Sequence, residues 1–595
     1  MTIEELLSDE TFAGLIDTVD PVERASKLVQ LQLEAKKLAC KPQFDMLYKA
    51  HRAKAEQLKR QDGSQVINFT DPPLAGLRCG EWTTCDLGVW RWEDKGQEKV
   101  KALACPHPIL PIERLVNTDT GIEKLRVSYY KDRGWHSFVA ERSVLGDRSK
   151  IVRIADKGVE VTTETARHLV SYLSNVVAEN MDTIPCTPSI DRLGWLPDKS
   201  FVPYHSVAYD GDDDFRALFA AVKEKGDFER WKAYVGLLRD VSPYIRILLA
   251  ASFASVLIEP LGLLPFVVHL WGGTGAGKSV GLMVAMSVWG NPELGVLVRT
   301  LNMTANAIAR TASFLYNIPF AGDELQVLKQ RWKGNYDELI MHLCEGIDRG
   351  RAKAYGGVED TKTWRCAFLT TGEEPVSKAN SGGGVQNRCI QIEIEGDDRV
   401  IEDGRATSNF VRGHYGFAGR MFVEALKDYK LSELYQKHYD AISKAGDFES
   451  KQVMAGAVLL TADEIAARSV FCKPPMELHD VTRYLTTRAE IDASVRAYDW
   501  VVDWIAQNEG HFTGNANGAV EVWGKIEGDM VLINKKVLCE ALADAGYDFA
   551  AVSSKWKQRK MVVLNTEKRM THCTKAFGVK ARYIKLKLQD EQCPF

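Results

Sequence analysis

None of the twelve cysteines is spaced Cys-x-x-Cys from another. That argues against a disulfide framework and fits thiols kept reduced in a cytoplasm. The opening residues, MTIEELLSDE, hold no apolar core of the kind a secretory signal needs. The most apolar region, 247–271, is divided by Glu259, Pro260 and Pro265. Its unbroken part, 247–258, is about one core helix long and too short to cross a bilayer. These absences predict a cytoplasmic location and no membrane partner. A large net charge is also missing. The 76 Lys and Arg nearly balance the 80 Asp and Glu, leaving −4, so any case for nucleic acid must come from how charge is distributed. No primase signature stands out, so primer synthesis is not expected. Hydrophobic content of 45% and charged content of 26% are ordinary for a globular chain, and 595 residues are too many for one core.

The most informative stretch is 265–280, PFVVHLWGGTGAGKSV. An apolar run reads as a buried strand, a glycine-rich turn follows, and a second apolar run reads as a helix. The spacing Gly272-x-x-x-x-Gly277-Lys278-Ser279 fits the P-loop pattern. Gly272, Gly273, Thr274, Gly275, Ala276 and Gly277 would let backbone N–H groups converge on phosphate oxygens, helped by the positive end of the helix. Lys278 would reach the β- and γ-phosphates of ATP, and the Ser279 hydroxyl would ligate magnesium.

The chain before this stretch has two parts. Residues 1–70 read as helical, with helices over 25–40 and 43–60 separated by Pro42. They suit a replication partner or DNA loading, or form an appendage packed on the next domain. Residues 76–205 read as β-rich and mixed, with a hairpin signal at Asp132-Arg133-Gly134 and an amphipathic helix over 164–181 capped by Thr162 or Thr163. Trp90, Trp92, Tyr129, Tyr130 and Trp135 are core aromatics or base-stacking groups. Cys79, Cys85, Cys105 and His107 are candidates for zinc, although their spacing matches no standard knuckle.

From 210 to 400 the pattern alternates strand and helix. Residues 295–301 read as a strand, and Thr304 caps a helix over 305–315. The apolar strand before Asp323-Glu324 reads as a Walker B partner, with Asp323 in the magnesium shell and Glu324 orienting or deprotonating the attacking water. The strand in WRCAFLTTG ends where a sensor of the γ-phosphate belongs, and Thr371 is the first choice there, with Thr370 next. Arg388 follows a glycine loop and precedes another strand, a place suited to an arginine finger; a strand-edge ion pair is the alternative.

GGTGAGKS, RTLNMTANAIARTA, AGDELQ, EGIDRGRAKAYGG, WRCAFLTTGEEP and GGVQNRCIQIEI together resemble the Cch-like helicases of mobile genomic islands. Those carry the domain of unknown function numbered nine-two-seven. RSVLGDRSKIVRIADKGVEVTTETARHLVSYL, DRLGWL and TTRAEIDASVRAYDWVVDWI extend the likeness over roughly 76–590. The core order is also similar to the AAA+ minichromosome maintenance helicases. The resemblance implies a hexameric, ATP-driven DNA helicase that acts on single-stranded or forked DNA in element replication. It implies a pore hairpin over 350–363, with Lys353 and then Arg351 on DNA. The family's sensor asparagine is replaced here by Thr371.

After 401 a helical lid and linker run to 510. Residues 410–426 read as one helix, in which Arg412 or Arg420 could sense nucleotide. From 520 to 595 the order strand, helix, helix, strand, turn, strand is that of a winged helix. Residues 551–588 hold 11 Lys and Arg and one acid, Glu567, a local excess that favours phosphate. Lys555, Lys557, Arg559 and Lys560 sit on or just after its second helix and are the expected DNA contacts. The whole reads as a multidomain α/β chain: N-terminal helical and β-rich domains, a central AAA+ P-loop domain with a parallel sheet, and a C-terminal winged helix. Two other functions are consistent with the motifs: a nucleotide-gated assembly switch or defence ATPase, and an origin-binding initiator without unwinding.

Overall fold

The computed structural model describes residues 2–16, 21–62, 65–95, 98–330, 337–350, 361–377, 381, 383–513, 521–576 and 578–588. The chain divides into two compact units. One comprises 1–190 with 207–210, and the other 191–206 with 211–595.

The first unit opens with four helices, Ile3–Leu6, Asp9–Ile16, Pro21–Lys37 and Lys41–Asp62, around Leu6, Phe12, Ala35 and Phe44. Pro42 does not separate helices as the sequence suggested. It lies in the first turn of the fourth helix, where a missing N–H costs nothing, and the break falls at Ala39, whose φ is +56°. Two sheets follow. Thr83–Cys85, Gly88–Lys95 and Glu98–Cys105 form an antiparallel meander. The second sheet runs Ala208–Tyr209, Cys186–Ile190, Ile109–Asn117, Glu123–Lys131, Gly134–Glu141. Its last two strands turn through Asp132 and Arg133, both left-handed. The helix Ala166–Glu179 turns Leu169, Tyr172, Leu173 and Val176 into the core, and Tyr172 donates to the Ile109 carbonyl at 2.8 Å. Its N-cap is Thr165, not Thr162 or Thr163.

Cys79, Cys85, Cys105 and His107 do not gather into a zinc set. Cys79 donates to the carbonyls of Gln65 and Trp82, and Cys105 lies 3.5 Å from His107 Nε2. Burial pushes the two thiols up to about 11 and about 12, so they stay protonated. No group of three or more metal-ligating side chains gathers among the described residues. Of the aromatics, Tyr129 is core, whereas Trp92 is 59% exposed.

The second unit is built on a five-stranded sheet: β1 (Val267–Gly272), β2 (Val298–Thr300), β3 (Phe320–Asp323), β4 (Phe368–Gly372) and β5 (Cys389–Ile394). Every neighbouring pair is parallel, in the order β2-β3-β4-β1-β5. The three central strands, β3, β4 and β1, are nearly continuous runs of buried residues, as a parallel sheet covered on both faces requires. Beneath it lies Pro243–Ala254, buried from Tyr244 to Ala254 apart from Arg246. The helix Phe228–Val241 is tied to Ser450–Ala466 by a buried ion pair. Arg239 Nη2 lies 2.7 Å from both Asp463 oxygens, and Asp463 also accepts from the Met476 N–H.

Residues 346–348 and 362–364 pair as two antiparallel arms, closing the base of the segment read as a pore hairpin. Residues 410–426 are not one helix. Gly404–Gly413 and Phe417–Ala425 are separated by an extended His414 and by Gly416 at φ +90°. A Cβ on Gly416 would sit 2.1 Å from the Lys223 carbonyl. The C-terminal part packs the helices Ala493–Gln507, Lys535–Asp544 and Phe549–Gln558 with a sheet of Gly524–Glu527, Met530–Asn534, Val579–Lys587 and Val562–Val563. Thr571–Ala576, a strand the sequence did not suggest, pairs with Val579–Lys587. No helix among the described residues is long and apolar enough to cross a membrane.

Candidate functional site

A cavity of about 330 Å³ opens at the carboxyl end of the central sheet. Parallel sheets offer ligand sites there, because strand ends and helix starts meet at that edge. The turn from Gly272 to Gly277 forms one wall. Gly275 and Gly277 take left-handed φ of +89° and +83°, and Gly272 lies so close to β5 that a Cβ would stand 2.9 Å from the Ile394 carbonyl. The helix Lys278–Met286 follows with no side-chain cap, which leaves its first N–H groups to a ligand. Lys278 Nζ is folded onto the carbonyls of Gly272 and Gly273, at 2.8 and 2.7 Å. Partial burial lowers its pKa, while Glu373 and Asp323 pull the other way.

The opposite wall comes from β3 and β4. Asp323, 7% exposed, accepts from the Ser279 hydroxyl at 3.0 Å and from the Thr371 hydroxyl. Thr371 in turn receives the Glu324 N–H at 3.4 Å. So Ser279, Asp323, Thr371 and Glu324, which the sequence separates widely, meet within one hydrogen-bonded cluster. Thr371 faces the acid pair. Glu324 has φ +61°, a conformation that costs a non-glycine residue energy and is common where a side chain must be aimed. Its carboxylate is exposed to the cavity. The uncapped helix start, the lysine and the glycine turn suit an oligophosphate, and the oxygen donors of Ser279 and Asp323 suit a hard cation such as magnesium.

Two residues here had no signal in the sequence. His269, fully buried in β1, bonds the Thr370 hydroxyl through Nδ1 (2.9 Å) and the Glu374 carbonyl through Nε2 (3.0 Å). A carbonyl only accepts, so Nε2 carries the proton and Nδ1 accepts from Thr370. Burial drives the His269 pKa down to about 4, so the ring is neutral. Glu373 accepts from the Thr274 hydroxyl at 2.7 Å, which ties the end of β4 to the glycine turn.

Known proteins share parts of this chain's sequence and fold. Residues 83–363 match the domain of unknown function DUF927, and residues 492–591 match the Cch helix turn helix domain. A solved structure described as "SCCmec type IV Cch - active helicase" superposes with a TM-score of 0.62 at 19% identity, covering 86% of this chain and 98% of that one. The chain resembles the Cch proteins. Two solved forms of the NrS-1 C-terminal region align over 80% of this chain at 12% identity, with TM-scores of only 0.29 and 0.30. Comparison with curated proteins finds no match.

The remaining described candidates do not line the cavity. Arg388 precedes β5, and β5 runs from Cys389, opposite Val267, to Ile394, opposite Gly272. Arg388 therefore sits at the amino end of the sheet, about 20 Å of strand from the glycine turn of its own chain. Its backbone is fixed, because its carbonyl accepts from Val267 N–H and Gln452 holds the neighbouring carbonyls of Gln386 and Cys389. Its Nη1 contacts Met341 Sδ and the Gly384 carbonyl, and its Nε bonds no described residue. Arg412 and Arg420 lie in ion pairs with Glu293 and Glu224, and neither lines the cavity. Lys353 and Arg351 lie outside the described residues. Lys555, Lys557, Arg559 and Lys560 are all exposed on or just after Phe549–Gln558.

Proposed function

We propose that this chain is an ATP-driven DNA helicase of the AAA+ class, acting for a mobile element, with each nucleotide held between two copies of the chain. The observation that carries it is the cluster of Ser279, Asp323, Thr371 and Glu324 facing the Gly272–Lys278 turn across one cavity. An all-parallel sheet with the glycine turn on β1 and the acid pair on β3, with β4 between them, supports the P-loop and AAA+ reading. So does the fold shared with a protein described as an active helicase.

In this reading the turn N–H groups and Lys278 bind the β- and γ-phosphates, and Lys278 leaves the Gly272 and Gly273 carbonyls to do so. Ser279 and Asp323 would hold magnesium, which neutralises phosphate charge. Thr371 keeps Asp323 in place. The left-handed Glu324 points its carboxylate at the attacking water and takes up its proton. The helix-turn-helix at the C-terminus supplies contact with DNA. Arg388 completes the site of a neighbouring copy, in a ring that we take to be a hexamer. Lys353 and Arg351 would line its pore.

Glu324→Gln should keep ATP binding and cut ATP turnover by at least about a hundredfold, and Lys278→Ala should lose both. Both should stop unwinding of forked DNA. ATP hydrolysis by the unaltered chain with no strand separation would overturn the helicase reading in favour of a nucleotide-gated switch.

A further inference from the structure

We propose that the chain grips DNA with the outer ribbon of its last β-hairpin, and not with the second helix of its helix-turn-helix. The proposal rests on the reading of this chain as a DNA-acting protein.

The helix is already engaged. Lys555 Nζ lies 3.2 Å from Asp492 Oδ1, and Arg559 Nη2 lies 2.7 Å from Asp492 Oδ2. Asp492 is not a loose surface acid. Its side chain is 13% exposed and it caps Ala493–Gln507 by accepting from the Ser494 N–H and hydroxyl. Between the two cations, the buried Trp556 donates Nε1–H to the Ser494 carbonyl at 2.7 Å. The face of Phe549–Gln558 that carries Lys555, Trp556 and Arg559 is thus docked on the start of Ala493–Gln507. A helix held this way has two of its four cations neutralised before any phosphate arrives.

The hairpin is the opposite case. Thr571–Ala576 pairs with Val579–Lys587 through Lys575↔Lys580, Thr574↔Ala581 and Cys573↔Arg582. The next strand, Met530–Asn534, pairs only from Tyr583 onward. The rungs Cys573↔Arg582 to Lys575↔Lys580 therefore form a two-stranded ribbon with no third strand paired to it among the described residues. Side chains alternate across it. Ala576, Ala581 and Tyr583 pack on Leu532, while Lys575, Lys580 and Arg582 share the other face. All three are exposed, and no described residue forms an ion pair with them. Like charges directly opposite on paired strands destabilise a sheet, so Lys575 against Lys580 is a cost that a polyanion removes. A two-stranded ribbon also fits the major groove, where these cations would meet phosphates on its walls.

The test is binding of a fluorescein-labelled duplex to the full chain by anisotropy at several salt concentrations. The variants are K575Q/K580Q/R582Q and Asp492→Asn, each checked for unchanged circular dichroism and DNA-free ATP turnover. The hairpin variant should bind at least about tenfold more weakly, with the slope of log affinity on log salt reduced by about 2 to 3. Asp492→Asn should bind as the unaltered chain does. A hairpin variant within about twofold of the unaltered chain, with the same salt slope, would overturn the proposal. Tighter binding by Asp492→Asn would do the same, by assigning the grip to Lys555 and Arg559. If the unaltered chain binds no DNA, the functional reading itself fails, and this proposal with it.

Discussion

His269 couples the site to pH. It is neutral and fully buried between β1 and the end of β4, with a pKa near 4 against an ordinary 6.5. Between those values the unfolded chain binds a proton that the folded chain refuses, so stability rises with pH across that window and falls as pH drops through it. The shift corresponds to about 3 kcal/mol lost from pH 7 to pH 4, a loss that should flatten in His269→Asn when urea midpoints are compared across that range. None of this was visible in the sequence, where His269 is one polar letter in an apolar strand. Its partners, Thr370 and Glu374, lie a hundred residues on and reach it only because β4 pairs beside β1. Glu373 on Thr274 was hidden for the same reason. The glycine turn was legible because its demands are local: left-handed φ at Gly275 and Gly277, and close backbone approach at Gly272, leave few alternatives.

At the scale of elements, legibility also followed locality. Thr304 caps Ala305–Leu315 through the Ala307 N–H at 3.2 Å, as its spacing predicts. The hairpin turning through Asp132 and Arg133 formed where its turn residues stand. The break at Gly416 was missed because its cause, the Lys223 carbonyl, lies far away in the chain. Thr571–Ala576 was missed because its sequence, THCTKA, shows no alternating apolar face; only pairing to Val579–Lys587 makes it a strand. The Arg239–Asp463 pair is another long-range feature, and it holds Phe228–Val241 to Ser450–Ala466. Burial raises the Asp463 pKa even with Arg239 beside it, which marks a pair that depends on both partners. Arg239→Met or Asp463→Asn should each cost about 3–5 kcal/mol in denaturant unfolding, since each strands one buried charge or carboxylate. The double variant should cost clearly less than the sum of the two, as coupled neighbours do.

Over the whole molecule, the position of Arg388 decides which copy of the chain it can serve. The parallel register fixes it at the amino end of the sheet, opposite the edge where Gly272–Ser279 gathers. An arginine side chain does not cover about 20 Å, so Arg388 can serve a phosphate cradle only in another copy of the chain. An arginine supplied in trans contributes about 10³ to 10⁵ in rate where such fingers act, which would make hydrolysis depend on assembly. A closed ring is the simplest form that gives every copy such a neighbour. The measurement that tests this most directly mixes two inactive variants, Lys278→Ala and Arg388→Ala. In a mixed ring, some interfaces pair an intact Lys278 from one copy with an intact Arg388 from the next. The account predicts that ATP turnover, negligible for either variant alone, returns on mixing and is greatest near equal amounts. Turnover that stays negligible at every ratio, in mixtures shown to co-assemble, or full turnover by Arg388→Ala alone, would contradict it.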